Sequence, residues 1–288
     1  MSLTPELSVV IPAYNEAERL PVTLAKLARY FAAEPRRVEV IVVDDGSSDA
    51  TARLPLPAAT PHTDWRMLAN PGNRGKGYSV RHGMLASRGQ RLLFTDADLS
   101  APIEELTQLE SALDAGCDIA IGSRRRRDLI QIHQNPLREN AGRVFNLMVR
   151  AGLGLPYADT QCGFKLFSRE SAQAIFPCQR IERWGFDPEL LFLARRLGFS
   201  VQEIPVVWSH AEGAKIHMLR DSLRMFGDIV TIRRNAARGV YPAARPRPQT
   251  APPQSDPQAA DAPRPIAAGA PSSDSVPPPA AARPRRAR

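Results

Sequence analysis

The stretch RLLFTDADLSAP, residues 91–102, joins an apolar run directly to two carboxylates. The run Leu92–Phe94 has the character of a buried strand, and Asp96 and Asp98 follow at its carboxyl end. In an extended segment, residues two apart point to the same side, so both carboxylates can converge on one point. Like charges this close repel unless a cation or hydrogen-bond donors lie between them. The stretch therefore predicts a divalent metal site, with a polar loop as the alternative.

Further apolar runs of strand length lie on both sides of this stretch and alternate with helical patterns. The runs are LSVVIP (7–12), VEVIVVDDGSSD (38–49), WRMLAN (65–70) and DIAIGS (118–123). Helices are predicted from Pro21, over GKGYSVRHGMLAS (75–87), and from Pro102. Strands that alternate with helices at this spacing are typical of an α/β fold with a mainly parallel sheet. We therefore predict a mostly parallel central sheet flanked by helices.

Three of the predicted strands end in polar residues. These ends are PAYNE (12–16), DDGSSD (44–49) and TDAD (95–98). In parallel α/β sheets, ligands bind beyond the carboxyl ends of the strands. The three ends therefore predict a ligand site along one edge of the sheet. Each acid could instead cap a turn, and this is the role expected of Asp49.

The usual nucleotide and calcium motifs do not match. The first strand is not followed by G-x-G-x-x-G, which argues against a dinucleotide site. The stretch GNRGKG (72–77) lacks the spacing of a phosphate loop. It is either a flexible turn or a place where Lys76 and a helix N-terminus attract a phosphate. Ala101 occupies the position where an EF-hand needs glycine.

Composition sets the class of protein and the extent of its folded part. The chain has 288 residues and a hydrophobic fraction of 43%, and no window approaches the ~20 apolar residues of a membrane-spanning helix. The start lacks a secretory signal pattern, and the three cysteines match no zinc spacing. We expect a cytoplasmic protein with a folded domain over residues 1–240. Residues 241–288, rich in Pro, Ala and Arg, are predicted to be disordered.

The motifs, taken in order, resemble those of a family 2 glycosyltransferase with the GT-A fold. They are VVIPAYNEAERLP, VVDDGSSD, NRGKGYSVRHGM and TDADLS. Two later stretches, DTQCGFKLFSR (159–169) and RWGFDPELLFLA (183–194), are similar to the dolichyl-phosphate β-glucosyltransferase branch, which is related to dolichyl-phosphate mannose synthases. The resemblance covers about residues 7–235. It implies an inverting, metal-dependent transfer of glucose from UDP-glucose to a polyprenyl phosphate, dolichyl or undecaprenyl.

The resemblance also implies which residues bind the donor and the metal. The donor-binding residues would be Pro12, Tyr14, Glu16, Val43, Asp44, Asp45, Lys76, Asp96 and Ala97. Asp96 and Asp98 would hold Mg²⁺ or Mn²⁺ against the diphosphate, since these hard cations prefer oxygen ligands. Such an ion neutralises the charge that builds on the departing UDP.

The second half of the chain is expected to bind the acceptor. A polyprenyl phosphate oxygen is already anionic, so the reaction needs positive residues for alignment more than it needs a general base. The predicted acceptor-phosphate ligands are Arg124, Arg138, Arg143 and Lys165. The predicted catalytic residues are Asp98, Arg124, Asp159 and Asp187. The neighbouring Arg125–Arg127 could instead form a solvated loop.

A basic amphipathic helix is predicted over residues 217–236. Its apolar stripe comprises Leu219, Leu223, Phe226, Ile229 and Val230, with arginines toward the sides. Such a helix can lie in a membrane interface or pack on the domain core, and both can hold for different turns. We expect a peripheral protein at the cytoplasmic face of the membrane.

Two other functions remain open at this stage. The first is a family 2 transferase that uses another sugar nucleotide, such as GDP-mannose, or a polysaccharide acceptor. The second is a nucleic-acid-binding protein, which the net charge of +8 would suit. That function needs basic residues interleaved with aromatic platforms. Here the arginines cluster in one loop, one helix and the tail, and only 6% of residues are aromatic, so we expect no nucleic-acid partner.

Overall fold

A seven-stranded sheet forms the centre of the structure, a computed structural model that describes residues 4–132, 146–209 and 218–244. In chain order its strands are β1 (Leu7–Ala13), β2 (Val38–Asp44), β3 (Thr63–Ala69), β4 (Arg91–Thr95), β5 (Ile119–Ser123), β7 (Phe164–Ser168) and β8 (Val201–Pro205). Their spatial order is β3-β2-β1-β4-β7-β5-β8. Neighbouring strands are parallel except β7, which is antiparallel to β4 and β5. Two short strands, β6 (Ile130–Ile132) and β9 (Trp208–Ser209), form a separate parallel pair.

Helices cover both faces of the sheet. They are α1 (Leu20–Ala32), α2 (Lys76–Ala86), α3 (Leu106–Asp114), α4 (described over residues 146–153), α5 (Arg169–Ile175), α6 (Phe186–Arg196) and α7 (Met218–Ala237). Successive strand residues point to opposite faces. Val9 and Leu93 therefore join a core with α1 and α3, while Val10 and Phe94 join a second core with α2, α5 and α6.

The strands that precede the predicted site are buried on both faces. All residues of β2 are buried, as are all but one of β1, which is the pattern of parallel strands covered by helices. Gly83 allows α2 to approach the sheet closely, because a Cβ there would overlap Val10 and lie 2.9 Å from Cγ2 of Val43. This close packing fixes the position of α2, and Lys76 is the first residue of that helix. The predicted mainly parallel sheet with flanking helices is confirmed.

Tyr241, near the end of the described residues, belongs to the core that contains α2, α5 and α6. The ring of Tyr241 is buried and lies 6.1 Å from that of Phe192. Tyr241 therefore belongs to the folded part of the chain. Residues 245–288, most of the predicted tail, lie outside the described part of the chain. Within the described part, the helices do not combine the length and apolar character needed to cross a membrane.

Candidate active site

The loops that follow β1 and β2 are tied together at the carboxyl edge of the sheet. Asn15, with a φ of 53°, accepts the backbone N–H of Ser48 at 2.8 Å through its side-chain oxygen. The N–H of Glu16 donates to the Thr51 hydroxyl at 2.8 Å. Asp49 accepts the N–H of Thr51, the first residue of a short 3₁₀ turn, at 2.9 Å, although the N-cap of this turn is Ala50. The two predicted strand ends thus form one surface.

Asp44 and Asp45 are occupied by backbone and side-chain donors. Asp44 accepts the N–H groups of Gly46 and Ser47, both at 3.2 Å. Asp45 accepts the N–H of Gly75 at 2.7 Å and the N–H groups of two further residues, Arg74 (2.9 Å) and the Asn70 side chain (2.8 Å). Both carboxylates are buried. They take the turn-capping role that the sequence left as an alternative, and Asp45 holds the glycine-rich loop in front of α2.

Lys76 lies at the N-terminus of α2 and points to the acids after β4. Its Nζ is 2.5 Å from Oδ1 of Asp96 and 5.6 Å from the centre of the Trp184 ring. Burial opposes the charged form, but the carboxylates of Asp96 and Asp187 outweigh it, and the pKa of Lys76 is raised. The predicted donor-binding lysine and the predicted metal-binding aspartate therefore share one site.

Asp96 and Asp98 lie in a turn rather than in the strand. β4 ends at Thr95, the N–H of Leu99 donates to the Asp96 carbonyl at 3.1 Å, and Leu99 has a φ of 47°. The predicted geometry, in which two extended residues point to the same side, is therefore wrong for Asp96 and Asp98. Oδ1 of Asp98 accepts the N–H of Ser100 at 2.9 Å and its hydroxyl at 2.8 Å. The turn brings the carboxylates to the sheet edge by a different backbone path.

Asp96 and Asp98 supply carboxylate oxygens, the type of ligand that a hard divalent cation prefers. The Asp96 carboxylate lies where a Cβ on Gly163 would be, so the glycine provides the space that the carboxylate fills. Its partner is already a cation, Lys76, which indicates that this position stabilises positive charge. The described residues contain no cluster of three or more potential ligands. Mg²⁺ is commonly held by one or two carboxylates together with substrate phosphates, and two carboxylates are what this turn offers.

Arg124 and Asp159, both predicted from sequence, form one bidentate pair. Nε and Nη2 of Arg124 lie 2.7 and 2.9 Å from the two oxygens of Asp159. The guanidinium also lies 5.5 Å from the centre of the Trp208 ring. Burial raises the pKa of Asp159, but the Arg124 charge and hydrogen bonds outweigh it, so that pKa is lowered and that of Arg124 is raised. Burial and the Asp159 charge also raise the pKa of the Cys162 thiol to about 12.

Lys165 is not placed to contact an acceptor phosphate. Its ammonium has no exposed surface, and it lies 2.5 Å from Oδ1 of Asp187 and 2.6 Å from the Cys162 carbonyl. The predicted phosphate contact is therefore corrected: Lys165 is the buried partner of Asp187. Burial nevertheless outweighs the attraction of Lys165 and raises the pKa of the Asp187 carboxyl.

The other predicted donor residues differ in exposure. Tyr14 is exposed, and Glu16 pairs with Arg19 at 2.7 Å. Val43 is fully buried beneath α2, so its side chain is not available to a ligand. The Ala97 carbonyl accepts the Thr23 hydroxyl at 2.6 Å. Pro12 is partly buried within β1. Arg138 and Arg143 lie outside the described residues.

Several supporting residues were not predicted from the sequence. Glu203 accepts the Ser123 hydroxyl at 2.6 Å and the N–H of Asp159 at 2.8 Å, which fixes the strand end beside Arg124. Glu182 pairs with Arg74 at 2.5 Å and holds the turn near Trp184. The sequence offered one signal for Glu203, which is that a glutamate stands within VQEIP, a stretch with the pattern of a strand. Nothing in the sequence identifies its partners, because they lie 44 and 80 residues away.

Comparison with known proteins identifies the family to which this geometry belongs. The model of "Glycosyl transferase family 2" matches residues 8–176. The chain belongs to this family. It is therefore a glycosyltransferase, as the motifs predicted. The dolichyl-phosphate β-glucosyltransferase of Dictyostelium discoideum is 37% identical over 82% of the chain and 76% of the relative. The same-named proteins of Drosophila melanogaster and Homo sapiens are 40% and 35% identical, over 79% and 83% of the chain and 74% and 78% of the relatives.

Solved structures support the fold. The crystal structure of glucosyl-3-phosphoglycerate synthase from Mycobacterium tuberculosis with Mn²⁺, UDP-glucose and phosphoglyceric acid has a TM-score of 0.59 at 19% identity and covers 83% of this chain and 81% of that one. Mannosyl-3-phosphoglycerate synthase from Rubrobacter xylanophilus gives 0.57 at 18% identity, over 82% and 76%. At these identities the likeness shows the fold alone, and the predicted GT-A fold is confirmed.

Proposed function

We propose that this glycosyltransferase moves glucose from UDP-glucose to a polyprenyl phosphate and inverts the anomeric centre. The observation that carries the proposal is the site beyond β4, where Lys76 and Asp96 form a charged pair beside Asp98. The family relationship supports the reaction class, and the relatives named as dolichyl-phosphate β-glucosyltransferases support the sugar and the lipid acceptor.

The donor side of the site supplies opposite charges at adjacent positions. Asp96 and Asp98 would hold Mg²⁺ or Mn²⁺, which when bound offsets the charge of the departing diphosphate. Lys76, released from Asp96, would then contact the diphosphate as a cation. Asp45 keeps the loop before Lys76 in place through the N–H groups of Arg74 and Gly75. Tyr14 offers an exposed ring beside this edge for stacking on the base.

The acceptor side supplies a fixed guanidinium rather than a base. Asp159 holds Arg124 in one orientation, and a third of the Arg124 side chain remains exposed. Nη1 of Arg124 is not used in the pair with Asp159 and can donate to a phosphate oxygen. A phosphate monoester is already anionic at neutral pH, so alignment of its oxygen with the anomeric carbon is the main requirement. A single displacement on that path converts an α-linked donor into a β-linked product.

One face of α7 is suited to a membrane surface. Phe226 and Val230, one helical turn apart, are exposed, and Arg224, Arg233 and Arg234 are exposed on the same helix. Apolar burial and attraction of arginines to anionic lipid both favour interfacial binding. We therefore propose peripheral attachment at the cytoplasmic face, where a polyprenyl phosphate head group would reach the site.

A substrate panel tests the proposed function. The purified full chain is incubated with UDP-glucose, UDP-galactose or GDP-mannose, and with dolichyl phosphate, undecaprenyl phosphate or 3-phosphoglycerate, with Mg²⁺ or EDTA. We expect glucosyl lipid only from UDP-glucose, a polyprenyl phosphate and the metal. Asp98→Ala should abolish transfer, whereas the exposed control Asp114→Asn should not. A mannosyl lipid or glucosylphosphoglycerate as the main product would contradict the proposal.

A further inference from the structure

Asp228, on α7, contacts the turn that precedes α6. The Asp228 carboxylate lies against the Gly185 backbone, with Oδ2 2.2 Å from where a Cβ on Gly185 would be. A Cβ on Gly185 would overlap that carboxylate, so the glycine is needed for the close approach. Burial raises the pKa of the Asp228 carboxyl, and the Gly185 backbone acts in the opposite direction. A carboxylate therefore lies partly buried against the backbone of this turn.

The turn that Asp228 contacts is part of the donor side of the site. Trp184 precedes Gly185, and its ring lies 5.6 Å from Nζ of Lys76. Phe186 follows, with its ring 5.9 Å from the same Nζ. The turn also packs on α2, because a Cβ on Gly77 would lie 2.7 Å from Cβ of Phe186 and 2.9 Å from the carbonyl oxygen of Arg183. A shift of this turn would therefore move the surroundings of Lys76.

The same segment of α7 has an exposed apolar face on its other side. Ile229 and Ile232 are buried, and Ile229 packs on Gly152 of α4. Phe226 and Val230 are exposed. At 100° per residue, Asp228 lies on the buried side of this helix, away from the two exposed side chains. One short stretch of α7 thus contacts the turn beside the donor site on one side and carries, on the other side, the face proposed to contact lipid.

We propose that Asp228 is a positioning residue that fixes the Trp184 turn beside Lys76 and joins α7 to the donor side of the site. The inference rests on the proposed function, because it assigns the turn a role in binding the sugar nucleotide. Loss of the carboxylate removes the group that packs against Gly185 and lets the turn move away from Lys76. Small displacements of positioning groups can reduce rates up to about 100-fold, and the loss should fall mainly on the KM for the donor.

Three variants separate positioning from simple stability. Asp228→Ala removes the carboxylate that packs against Gly185. Asp228→Asn keeps an acceptor oxygen of similar size and should restore most of the function. Thr231→Ala, on an exposed position of the same helix, is the matched control. The thermal midpoint of each variant is measured alongside its function.

The decisive readout is the environment of Trp184. The full chain is labelled with 5-fluorotryptophan, and its three fluorine resonances are assigned with single Trp→Phe variants. We expect Asp228→Ala to shift the Trp184 resonance but not that of Trp65, and to raise the KM for UDP-glucose about tenfold with a smaller change in kcat. An unchanged Trp184 resonance and KM, even with a lower thermal midpoint, would overturn the inference. The resonance is measured without substrate, so it tests the positioning even if UDP-glucose proves not to be the donor.

Discussion

Two charged residues that sequence reasoning treated separately, Lys165 and Asp187, form one fully buried pair. Lys165 was predicted to bind the acceptor phosphate, and Asp187 was predicted to be catalytic. Their residue types and positions along the chain could be read from the sequence, but their partnership could not, because they lie on different elements, β7 and α6. The same holds for Arg124 and Asp159. The sequence therefore indicated which charged residues to consider, and the fold shows which of them form ion pairs.

The buried pair predicts a strongly non-additive effect on stability. Lys165→Met should lower the free energy of unfolding by about 3–5 kcal/mol, because it leaves Asp187 buried without its partner. The double variant Lys165→Met/Asp187→Leu should recover most of that loss, since apolar replacements of a buried pair are often neutral or stabilising. Urea denaturation of the wild type, both single variants and the double variant completes the cycle. Additive losses would show that the two residues do not interact.

We expect the contribution of Asp159 to the free energy of unfolding to depend on pH. Its folded-state pKa is lowered by Arg124 from the ordinary value of 3.8, so its contribution is present above that value and is lost as the pH falls through the folded-state pKa. The difference in unfolding free energy between wild type and Asp159→Asn should be largest at pH 7 and shrink at pH 3. Urea titrations at both pH values measure it. A difference that grows on acidification would contradict the assignment.

A substitution at Gly163 offers a way to displace the Asp96 carboxylate without changing a charge. A Cβ at this position would overlap the Asp96 carboxylate. Gly163→Ala should therefore lower transferase kcat/KM by at least about tenfold and weaken Mn²⁺ binding, followed by electron paramagnetic resonance. The control is Gly227→Ala, where a Cβ would meet nothing within 4 Å. Equal activity of the two variants would show that Asp96 tolerates displacement.

Among the secondary-structure elements, α7 differs from its prediction in which of its apolar residues are exposed. Its predicted apolar stripe included Phe226, Ile229 and Val230 as one face. In the structure Ile229 is buried against α4, whereas Phe226 and Val230 are exposed; the side chains of Leu219 and Leu223 lie outside the described set. Apolar periodicity locates a helix, but it does not say which apolar residues a neighbouring element will cover.

The exposed face of α7 predicts binding to anionic vesicles. Phe226→Ser/Val230→Ser removes apolar area worth about 1.5–3 kcal/mol for each side chain that becomes fully buried. The affinity for phosphatidylglycerol vesicles should therefore fall at least about tenfold, as measured by co-sedimentation. The control is Val22→Ser, an exposed apolar position on α1. If both variants bind vesicles as the wild type does, α7 is not the membrane contact.

Strand assignments were more predictable than strand ends and directions. The runs for β1, β2, β3, β4 and β5 are all strands in the structure, because parallel buried strands read as continuous apolar runs. Strands β7 and β8 were not predicted, and the antiparallel direction of β7 could not have been, since the side-chain pattern of a strand does not encode its direction. The end of β4 at Thr95 was also missed, and with it the turn that carries Asp96 and Asp98.

At the scale of the whole molecule, the donor half was easier to predict than the acceptor half. Its motifs follow successive strand ends, so the topology of a parallel sheet alone brings them to one edge. The acceptor half depends on contacts between distant segments, such as Glu203 with Asp159 and Asp228 with Gly185. Of the predicted acceptor ligands that the structure describes, Arg124 is partly exposed beside Asp159, whereas Lys165 is buried with Asp187. The prediction of an acceptor-phosphate contact therefore rests on Arg124.

Nuclear magnetic resonance of a single reaction tests the central claim most directly. The purified chain is mixed with UDP-glucose, Mg²⁺ and a short-chain polyprenyl phosphate, and phosphorus and proton spectra are followed over time. The account predicts UDP and a new glucosyl phosphodiester whose anomeric proton has the large coupling of a β linkage. An α-linked product, free glucose without glucosyl lipid, or an unconsumed donor with well-folded protein would contradict it.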